Sequence, residues 1–330
     1  MDETSNLFNL MITLNKIAFV NSILIFLIGG TLNIILLYIC YKIKNNEFKA
    51  CRKMITLFTF TDLMYIITQS FTIHVGGAGN KTGILCSIGL INNFGEQIAI
   101  FGILAGVFFY LCTITNNFVI SAYRYLIIVR GVKFTNFKFF ILMSTNFIWN
   151  FLVVLIWYID IKLTDKNEFE KTKNGIPYEY FIGLNNSTVP CIFFNPFKLR
   201  GIVIFVQTNL TFVLIVFGSS ELIYLIHNKL KNNTSVSSPK TKKLQSQLTL
   251  IMLIELVNPL VLTIIPVLPI SYSVIMGYDL HGFMHIMLIL MAWSVIINPI
   301  ATILCIGPIL KYLTSFFHKK KFFVNVVPIK

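Results

Sequence analysis

The chain has 330 residues, of which 56% are hydrophobic and only 12% charged, and its mean hydropathy is +0.77. A water-soluble domain of this size would precipitate with such a composition, and no separate soluble domain is indicated. The formal net charge of +14 is compatible with nucleic-acid binding. However, the basic residues fall in short segments between apolar runs rather than on one folded face, which argues against that class of partner.

Seven apolar runs are long enough to cross a bilayer. They cover residues 16–41, 54–75, 94–120, 137–159, 201–226, 248–270 and 283–307. A membrane helix needs about 20 residues, because it rises about 1.5 Å per residue. The sequence therefore predicts an all-α membrane protein with a seven-transmembrane helix bundle over residues 1–310 and a basic tail over 311–330. The first run lacks a small-residue cleavage site, so we expect a retained anchor rather than a signal peptide.

The distribution of basic residues predicts the orientation of the chain. Segments 42–53, 121–138, 227–247 and 308–330 hold 19 Lys and Arg residues and one acid, Glu47. Positively charged loops stay on the cytoplasmic side. We therefore expect the N-terminus outside, the C-terminus in the cytoplasm and the protein in the plasma membrane.

This orientation predicts which cysteines and glycosylation sequons lie outside the cell and which do not. Cys86 and Cys191 are the two cysteines expected outside, where a disulfide can form; two unpaired thiols remain the alternative. The remaining cysteines are expected within spans or on the cytoplasmic side, and they are Cys40, Cys51, Cys112 and Cys305. Three outer sequons are candidate glycosylation sites, at Asn80, Asn185 and Asn186, although an Asn-rich chain produces such triplets by chance.

Polar residues inside the apolar runs are the first functional candidates, because a buried polar group in hydrocarbon needs a partner. Asn33, Asp62 and Asn298 belong to three different runs at similar depth. We expect them to satisfy one another's hydrogen bonds in a polar network beside Pro299, with a water or a small cation in any gap. The alternative is purely structural, since such groups also hold helices together.

Several motifs resemble marker positions of the rhodopsin-like seven-helix receptors. They are Asn33 in GGTLNIILLY, Asp62 in FTFTDLMY, Arg124 in ISAYRYLIIV, Trp149 in NFIWNF and Asn298-Pro299 in WSVIINPIATIL. The chain departs from that family in three ways. Tyr123 replaces the usual acid before the arginine, the tyrosine that usually follows the Asn-Pro pair is missing, and no proline interrupts the fifth run.

These departures point to a subgroup, the nematode serpentine chemoreceptors of the d, h, i and str-type classes. The stretches LNIILLYI, FVISAYRYLIIV and WSVIINPIATILCIGPILKYL carry this resemblance. The resemblance implies a chemosensory G-protein-coupled receptor in a sensory cell, with a sensory cilium as its expected location. It would bind a small external ligand and activate a heterotrimeric G protein.

The end of the third run is the predicted G-protein coupling site. Arg124, flanked by Tyr123 and Tyr125, is either an interfacial anchor or a switch residue that pairs with an acid in the resting state. Glu221 and Glu255 are the candidate acids, and Glu221 is favoured because it is expected nearer the cytoplasmic surface. In resembling receptors the sixth helix swings to open a cleft for the G protein.

Further residues are assigned to a hinge, a ligand pocket and a tail helix. Pro259 and Pro266 are the predicted hinge of the sixth helix, because proline removes a backbone donor. The expected ligand pocket lies in the outer half of the bundle, with candidates Glu96, Gln97, Phe205, Gln207, Tyr272 and His285. The stretch ILKYLTSFFHKKKFF is expected to form a short amphipathic eighth helix on anionic lipid.

Competing classes of function leave distinct signatures. A retinal pigment needs a lysine in the seventh run, and 283–307 contains none. A multi-pass transporter or channel could use the intramembrane acids Asp62, Glu96, Glu221 and Glu255 as a relay. No nucleotide loop, zinc motif or catalytic triad is present, so we expect neither an enzyme nor a cofactor nor a bound metal.

Overall fold

Helices dominate the computed structural model of the protein, which describes residues 2–43, 48–79, 81–164, 176–184, 187–232, 239–279 and 282–324. Within these residues the long helices are α1 (Asp2–Lys42), α2 (Lys49–Thr72), α3 (Glu96–Ile128), α4 (Asn136–Leu163), α5 (Leu199–Asn232), α6 (Pro239–Pro259, Leu260–Ile264 and Ile265–Met276), α7 (Phe283–Cys305) and α8 (Gly307–Val324). Two short 3-10 helices, Leu90–Phe94 and Tyr178–Phe181, lie in the loops.

Six helices of the described chain are long and apolar enough to cross a membrane, and they are α1, α3, α4, α5, α6 and α7. The remaining predicted run corresponds to α2, whose 24 residues would extend about 36 Å. It is less apolar because it carries Asp62 and Gln69, both of which are buried where α2 packs against α1 and α3. The predicted sevenfold pattern is therefore present as six strongly apolar helices and one with a polar inner face.

Large apolar side chains are exposed along the outward faces of these helices. Examples are Leu27, Phe101, Phe151, Phe217 and Leu304. In water, continuous apolar patches of this kind cause association, whereas in hydrocarbon they are the expected surface. The protein is accordingly a multi-pass membrane protein.

A three-stranded antiparallel sheet covers one end of the bundle, which we call the sheet end; the opposite end is called the Arg124 end. Its strands are β1 (His74–Gly79), β2 (Thr82–Ser87) and β3 (Cys191–Phe194), in the order β1-β2-β3. The sheet was not predicted, since the second apolar run was expected to remain helical through Val75. Instead α2 ends at Thr72, where Ile73 takes up a left-handed conformation with φ 46°.

The predicted disulfide is confirmed. Cys86 of β2 and Cys191 of β3 are directly paired in the sheet register and are joined by a disulfide across a sequence separation of 105 residues. The bridge fastens the long segment after α4 to the chain before α3. Among the described cysteines, Cys40, Cys112 and Cys305 are free.

Helix α1 begins at Asp2, well before the predicted start of the first run at residue 16. Its additional turns pack Met11 and Leu14 against Ile73 and other apolar residues of the sheet end. Asn15 Nδ2 donates a 2.8 Å hydrogen bond to the carbonyl oxygen of Ile182. The first helix is thus anchored on the sheet end before it enters the bundle.

Both α5 and α6 contain one wide π-helical turn, at Leu214–Gly218 and Leu260–Ile264. The predicted hinge residues bracket the turn in α6: Pro259 directly precedes it, and Pro266 lies in the first turn that follows. Each proline lacks a backbone N–H, so the regular ladder of hydrogen bonds cannot continue through this region. The turn separates α6 into two halves. We call Pro239–Pro259, at the Arg124 end, the inner half, and Ile265–Met276, at the sheet end, the outer half.

Candidate functional site

A cavity of about 240 Å³ lies beneath the sheet at the sheet end. Helices α2 to α7 contribute to its wall, and strands β2 and β3 form its roof with Ile84, Leu85 and Ile192. Aliphatic side chains are the largest group in the lining, and five aromatic side chains add to it: Tyr65, Tyr110, Trp157, Phe194 and Phe205. A concave, mostly apolar cavity among helices is the usual form of a small-molecule site.

The sequence analysis expected a ligand pocket in the outer half of the bundle and named six candidate side chains, most of which do not line this cavity. Of the six candidates, Phe205 lines the cavity. Glu96, Gln97 and Tyr272 are exposed, because helix rotation turns them away from the interior. Gln207 is half-buried outside the cavity lining, whereas the next two residues of α5 belong to it.

His285 is buried but is committed elsewhere. Its Nε2 lies 3.1 Å from Asn15 Oδ1 on α1, and its ring packs 6.4 Å from the ring of Tyr180. Tyr180 in turn donates a 2.6 Å hydrogen bond to Asp279 Oδ1 and accepts one from the backbone of Gly282. The group therefore ties α1, the loop before β3 and the loop before α7 together.

His74, at the start of β1, is a cavity residue that sequence reasoning missed. Its Nε2 lies 3.2 Å from Thr72 Oγ1, and its ring sits against Gly106 of α3, where an added Cβ would be only 2.1 Å from the imidazole. Burial lowers the pKa of His74 to about 4, so this side chain is neutral at physiological pH. The glycine at position 106 is what lets the imidazole reach the cavity.

Two of the three residues expected in the polar network, Asp62 and Asn298, are bonded to each other at the middle of the bundle, whereas Asn33 bonds to backbone oxygens instead. Asn298 Nδ2 donates to Asp62 Oδ2 at 3.3 Å, and Asn33 Nδ2 donates to the backbone oxygens of Gly29 and Val295. Pro299 is buried beside it in α7. The structure thus brings α1, α2 and α7 together at these positions.

Asn258 of α6 extends this network beyond the predicted set. Its Nδ2 donates to Asn298 Oδ1 at 2.9 Å and to the Ser294 carbonyl oxygen at 3.0 Å. Three buried oxygens in these residues and their neighbours have no partner among the described protein atoms, and they are Asn33 Oδ1, Asn258 Oδ1 and Ser294 Oγ. Acceptor oxygens left open in this way fit the expected water or small cation.

A second amide network links α2, α3 and α4 and was not predicted. Asn116 donates to Thr61 Oγ1 at 2.9 Å, and Asn146 donates to Asn116 Oδ1 at 2.9 Å. Asn150 Nδ2 then reaches Thr115 Oγ1 at 2.8 Å. Asn146 and Asn150 are four residues apart and so share one face of α4, and Asn116 lies on the preceding run. This pattern could have predicted the contact between the two helices.

Helix α3 is hydrogen-bonded to α6 at three levels, seven residues apart along α3. The Tyr110 hydroxyl contacts Thr263 Oγ1 near the π turn. Asn117 Nδ2 donates to the Glu255 carbonyl oxygen at 2.8 Å. Arg124 closes the series at the end of the helix. One face of α3 therefore holds α6 against the bundle from Gln245 to Thr263.

Arg124 is the predicted switch residue, and the structure buries it to 3% exposure. Its Nη2 donates to Gln245 Oε1 at 2.9 Å, to the Gln245 carbonyl oxygen at 3.0 Å and to Thr249 Oγ1 at 3.3 Å. Nη1 lies 2.7 Å from Met252 Sδ. These contacts of the guanidinium connect α3 to α6, and together we call them the Arg124 latch. A side chain that only anchored the helix at the membrane surface would be more exposed.

The two candidate acids occupy different environments. Glu255 is 4% exposed and lines a small cavity of about 20 Å³ together with Arg124, whereas Glu221 is exposed on α5. The structure therefore supports Glu255 as the acid near the guanidinium.

Tyr123 and Tyr125, which flank Arg124, also lie in different environments. Tyr123 is buried edge-on against Phe134 and Phe139, with ring centroids 4.8 and 5.1 Å away. Tyr125 accepts a 2.9 Å hydrogen bond from Arg130 Nε. An aromatic residue at position 123 thus fills an apolar niche in which a carboxylate would be unpaired.

The sequons at Asn80, Asn185 and Asn186 lie outside the described residues. No cluster of three or more His, Cys, Asp or Glu side chains capable of holding a metal is found within the described chain.

These features define a multi-pass helix bundle of the rhodopsin-like architecture. The crystal structure of squid rhodopsin superposes with a TM-score of 0.63 over 98% of this chain and 89% of that chain, at 13% sequence identity. At that identity the likeness shows the fold alone. No protein of curated function matches the chain.

The sequence profile of a receptor family identifies the chain more closely. The family described as serpentine type 7TM GPCR chemoreceptor Srd matches residues 19–314. The protein belongs to this chemoreceptor family, which confirms the predicted kinship; the family is one of receptors, not of enzymes.

Proposed function

We propose that the protein is a chemosensory G-protein-coupled receptor that binds a small external ligand in the cavity and activates a heterotrimeric G protein at the Arg124 end. The observation that carries the proposal is the Arg124 latch, which holds the inner half of α6 onto α3. Release of this latch exposes the surface between the two helices. The π turn and its flanking prolines lie between the cavity and the latch, where a change at one end alters the angle of the other.

The direct test is the variant Arg124→Ala, assayed for surface amount and for ligand-stimulated G-protein activation. A switch residue predicts normal delivery and a large loss of signalling, because the guanidinium contributes to both the resting latch and the partner surface. Lys133→Ala is a suitable control, since it removes a basic residue from the same end without touching the latch. Unchanged efficacy and potency in Arg124→Ala would make Arg124 an anchor only.

The proposal includes the orientation, with the sheet end outside and the Arg124 end and α8 in the cytoplasm. Basic residues concentrate at the Arg124 end, as the positive-inside rule requires. An epitope tag at the N-terminus should be labelled on intact cells, and one after Lys330 only after permeabilisation. The reverse pattern would place the cavity on the cytoplasmic side and contradict an external ligand. Tagged protein imaged in the animal tests the plasma membrane and sensory cilium as its location.

A transporter or channel using intramembrane acids has weaker support. Glu96 and Glu221 are exposed on the helix surfaces, while Asp62 and Glu255 are buried, so the four carboxylates do not share one path. Substrate-driven current in reconstituted bilayers that contain no G protein would favour transport over signalling.

A further inference from the structure

The cavity at the sheet end is built for an uncharged molecule. None of the described residues that line it is Asp, Glu, Lys or Arg, and its histidine, His74, is neutral. A charged ligand would lose its hydration without gaining a counter-charge. At about 240 Å³ the cavity is also smaller than the roughly 300–1,000 Å³ typical of sites for drug-sized ligands.

Two of the lining residues carry buried polar atoms without partners among the described protein atoms. Gln69 Oε1 is an acceptor, and Trp157 Nε1 is a donor. Buried polar atoms are normally satisfied, so each is available to an uncharged hydroxyl or carbonyl. The complementary ligand is mostly apolar and carries such a group.

The roof limits approach from the aqueous side. Strands β2 and β3 lie over the cavity and are joined by the Cys86–Cys191 bridge. Tyr180 packs on the outer strand of the sheet, where an added Cβ at Gly77 would lie 2.5 Å from its ring. Its hydrogen bond to Asp279 fixes this layer to the loop before α7.

The wall between α5 and α6 is different. The inner halves of the two helices pack together through Ile223, Ile226, Met252 and Leu256. The outer segments Leu199–Val213 and Ile265–Met276, both fully described, do not pack closely on each other.

Lining residues on both sides of this gap reach the helix surface. Thr208 and Asn209 on α5, and Val267, Ile270 and Ser271 on α6, line the cavity and are only half-buried. Their outer sides face the surface that the apolar exposed residues assign to lipid. The cavity therefore communicates with the side of the bundle.

We propose that the ligand is an uncharged, largely apolar small molecule dissolved in the bilayer, and that it reaches the cavity sideways between the outer halves of α5 and α6. The inference rests on the proposed function, because it names the ligand class and the route for the same site. It predicts that membrane partitioning and the α5–α6 gap govern ligand binding.

The ligand class is tested with purified receptor in lipid nanodiscs, without G protein. The neutral probes are octanol, octanone, benzyl alcohol and acetophenone, and their charged counterparts are octanoate, octylammonium, benzoate and benzylammonium. Binding to the folded state raises the unfolding temperature. We expect a saturable rise with at least one neutral probe and none with its charged counterpart. Equal rises with a charged counterpart, or none with any neutral probe, would overturn the proposal.

Non-specific effects of the probes on the bilayer are separated by filling the cavity. A Cβ at Gly83 would lie in ordinary contact with two cavity residues, 3.6 Å from Val274 and 3.7 Å from Phe194, so the methyl groups of Gly83→Val should take up cavity space. Gly30→Val is the matched control, because its Cβ would have no neighbour within 4 Å. The stabilisation should disappear in Gly83→Val and persist in Gly30→Val. Its persistence in both would show that the probes act elsewhere.

The route is tested by the binding kinetics of the most stabilising neutral probe, labelled with tritium. Ser271→Trp should slow both association and dissociation by about tenfold with little change in affinity, because an obstructed route slows passage in both directions. Leu152→Trp, which places the same large side chain on the lipid-facing surface of α4, is the control and should keep the original rates. Unchanged rates in Ser271→Trp, or faster dissociation alone, would refute the lateral route.

These measurements are independent of signalling. A receptor that binds the neutral probes yet activates no G protein would contradict the proposed function and leave this inference intact. A receptor that signals only in response to a charged ligand would contradict this inference and leave the proposed function intact.

Discussion

Arg124 at the end of α3 and Gln245 on α6 are joined by two hydrogen bonds, one to the side-chain oxygen at 2.9 Å and one to the main-chain oxygen at 3.0 Å. Both bonds come from Nη2 of the guanidinium. Because the main-chain bond does not depend on the side chain, this latch can be weakened by degrees.

Gln245→Ala should raise ligand-independent signalling. The variant removes one charge-assisted hydrogen bond, about 1.5 kcal/mol, which shifts a two-state equilibrium about tenfold towards the open form. Basal G-protein activation at matched surface amounts measures the effect. Ser246→Ala, next to it but exposed, should behave as the unmodified receptor. A basal level unchanged by Gln245→Ala would mean that the latch does not restrain α6.

Variants of the two candidate acids, Glu255 and Glu221, should differ in the same assay of basal signalling. Glu255 is buried beside Arg124, so Glu255→Gln removes a carboxyl group next to the guanidinium and should raise basal signalling several-fold. Glu221→Gln is the natural control, because that side chain is exposed and should change little. The opposite ranking of the two variants would assign the resting partner to α5.

Asn298→Ala should lower the stability of the receptor by about 1–3 kcal/mol, since it deprives buried Asp62 of a donor and Asn258 of an acceptor. The unfolding temperature of purified protein in nanodiscs is the measurement. Ser70→Ala is the control, because the Ser70 hydroxyl bonds only to a carbonyl of its own helix. A loss no greater than that of the control would show that water replaces the amide without cost.

Cys86→Ser should impair delivery to the cell surface. The bridge closes a long loop and pairs β2 with β3, and a closure of this length stabilises by about 4–5 kcal/mol in the chain-entropy account. Flow cytometry of an outer tag reports the result. Cys305→Ser, which changes a free thiol, should be delivered normally. Detection of both Cys86 and Cys191 as free thiols in surface-purified protein would remove the basis of this prediction.

The sequence was most informative where burial forces a partner. Asp62 and Asn298 could be expected to meet because neither is stable alone in hydrocarbon, and the structure places them in contact. The cavity lining was beyond reach, since the rotation of each helix depends on packing: Gln207 was named, although Thr208 faces the cavity. The strand at His74 was missed because an apolar run does not distinguish the end of a helix from a buried strand.

The sheet end was also obscured by glycine. The segment from Gly76 to Gly79 contains three glycines and one alanine, which cannot show an alternating pattern, yet two of these glycines are required there. An added Cβ at Gly76 would lie 2.8 Å from Met284 and one at Gly77 would collide with Tyr180. The reason for these glycines is a close approach between loops, which only the folded chain reveals.

The π turn at Leu260–Ile264 sits between the half of α6 that carries Gln245 and the half that lines the cavity. One residue of an α-helix corresponds to about 100° of rotation. Deleting a single residue in this turn would therefore swivel the outer half of α6 as a unit, replacing Ser271 and Val274 at the cavity wall by their neighbours while Gln245 kept its place. A change in the length of one turn can therefore give such a receptor a new chemical preference without the substitution of any residue, because it brings different side chains to the cavity.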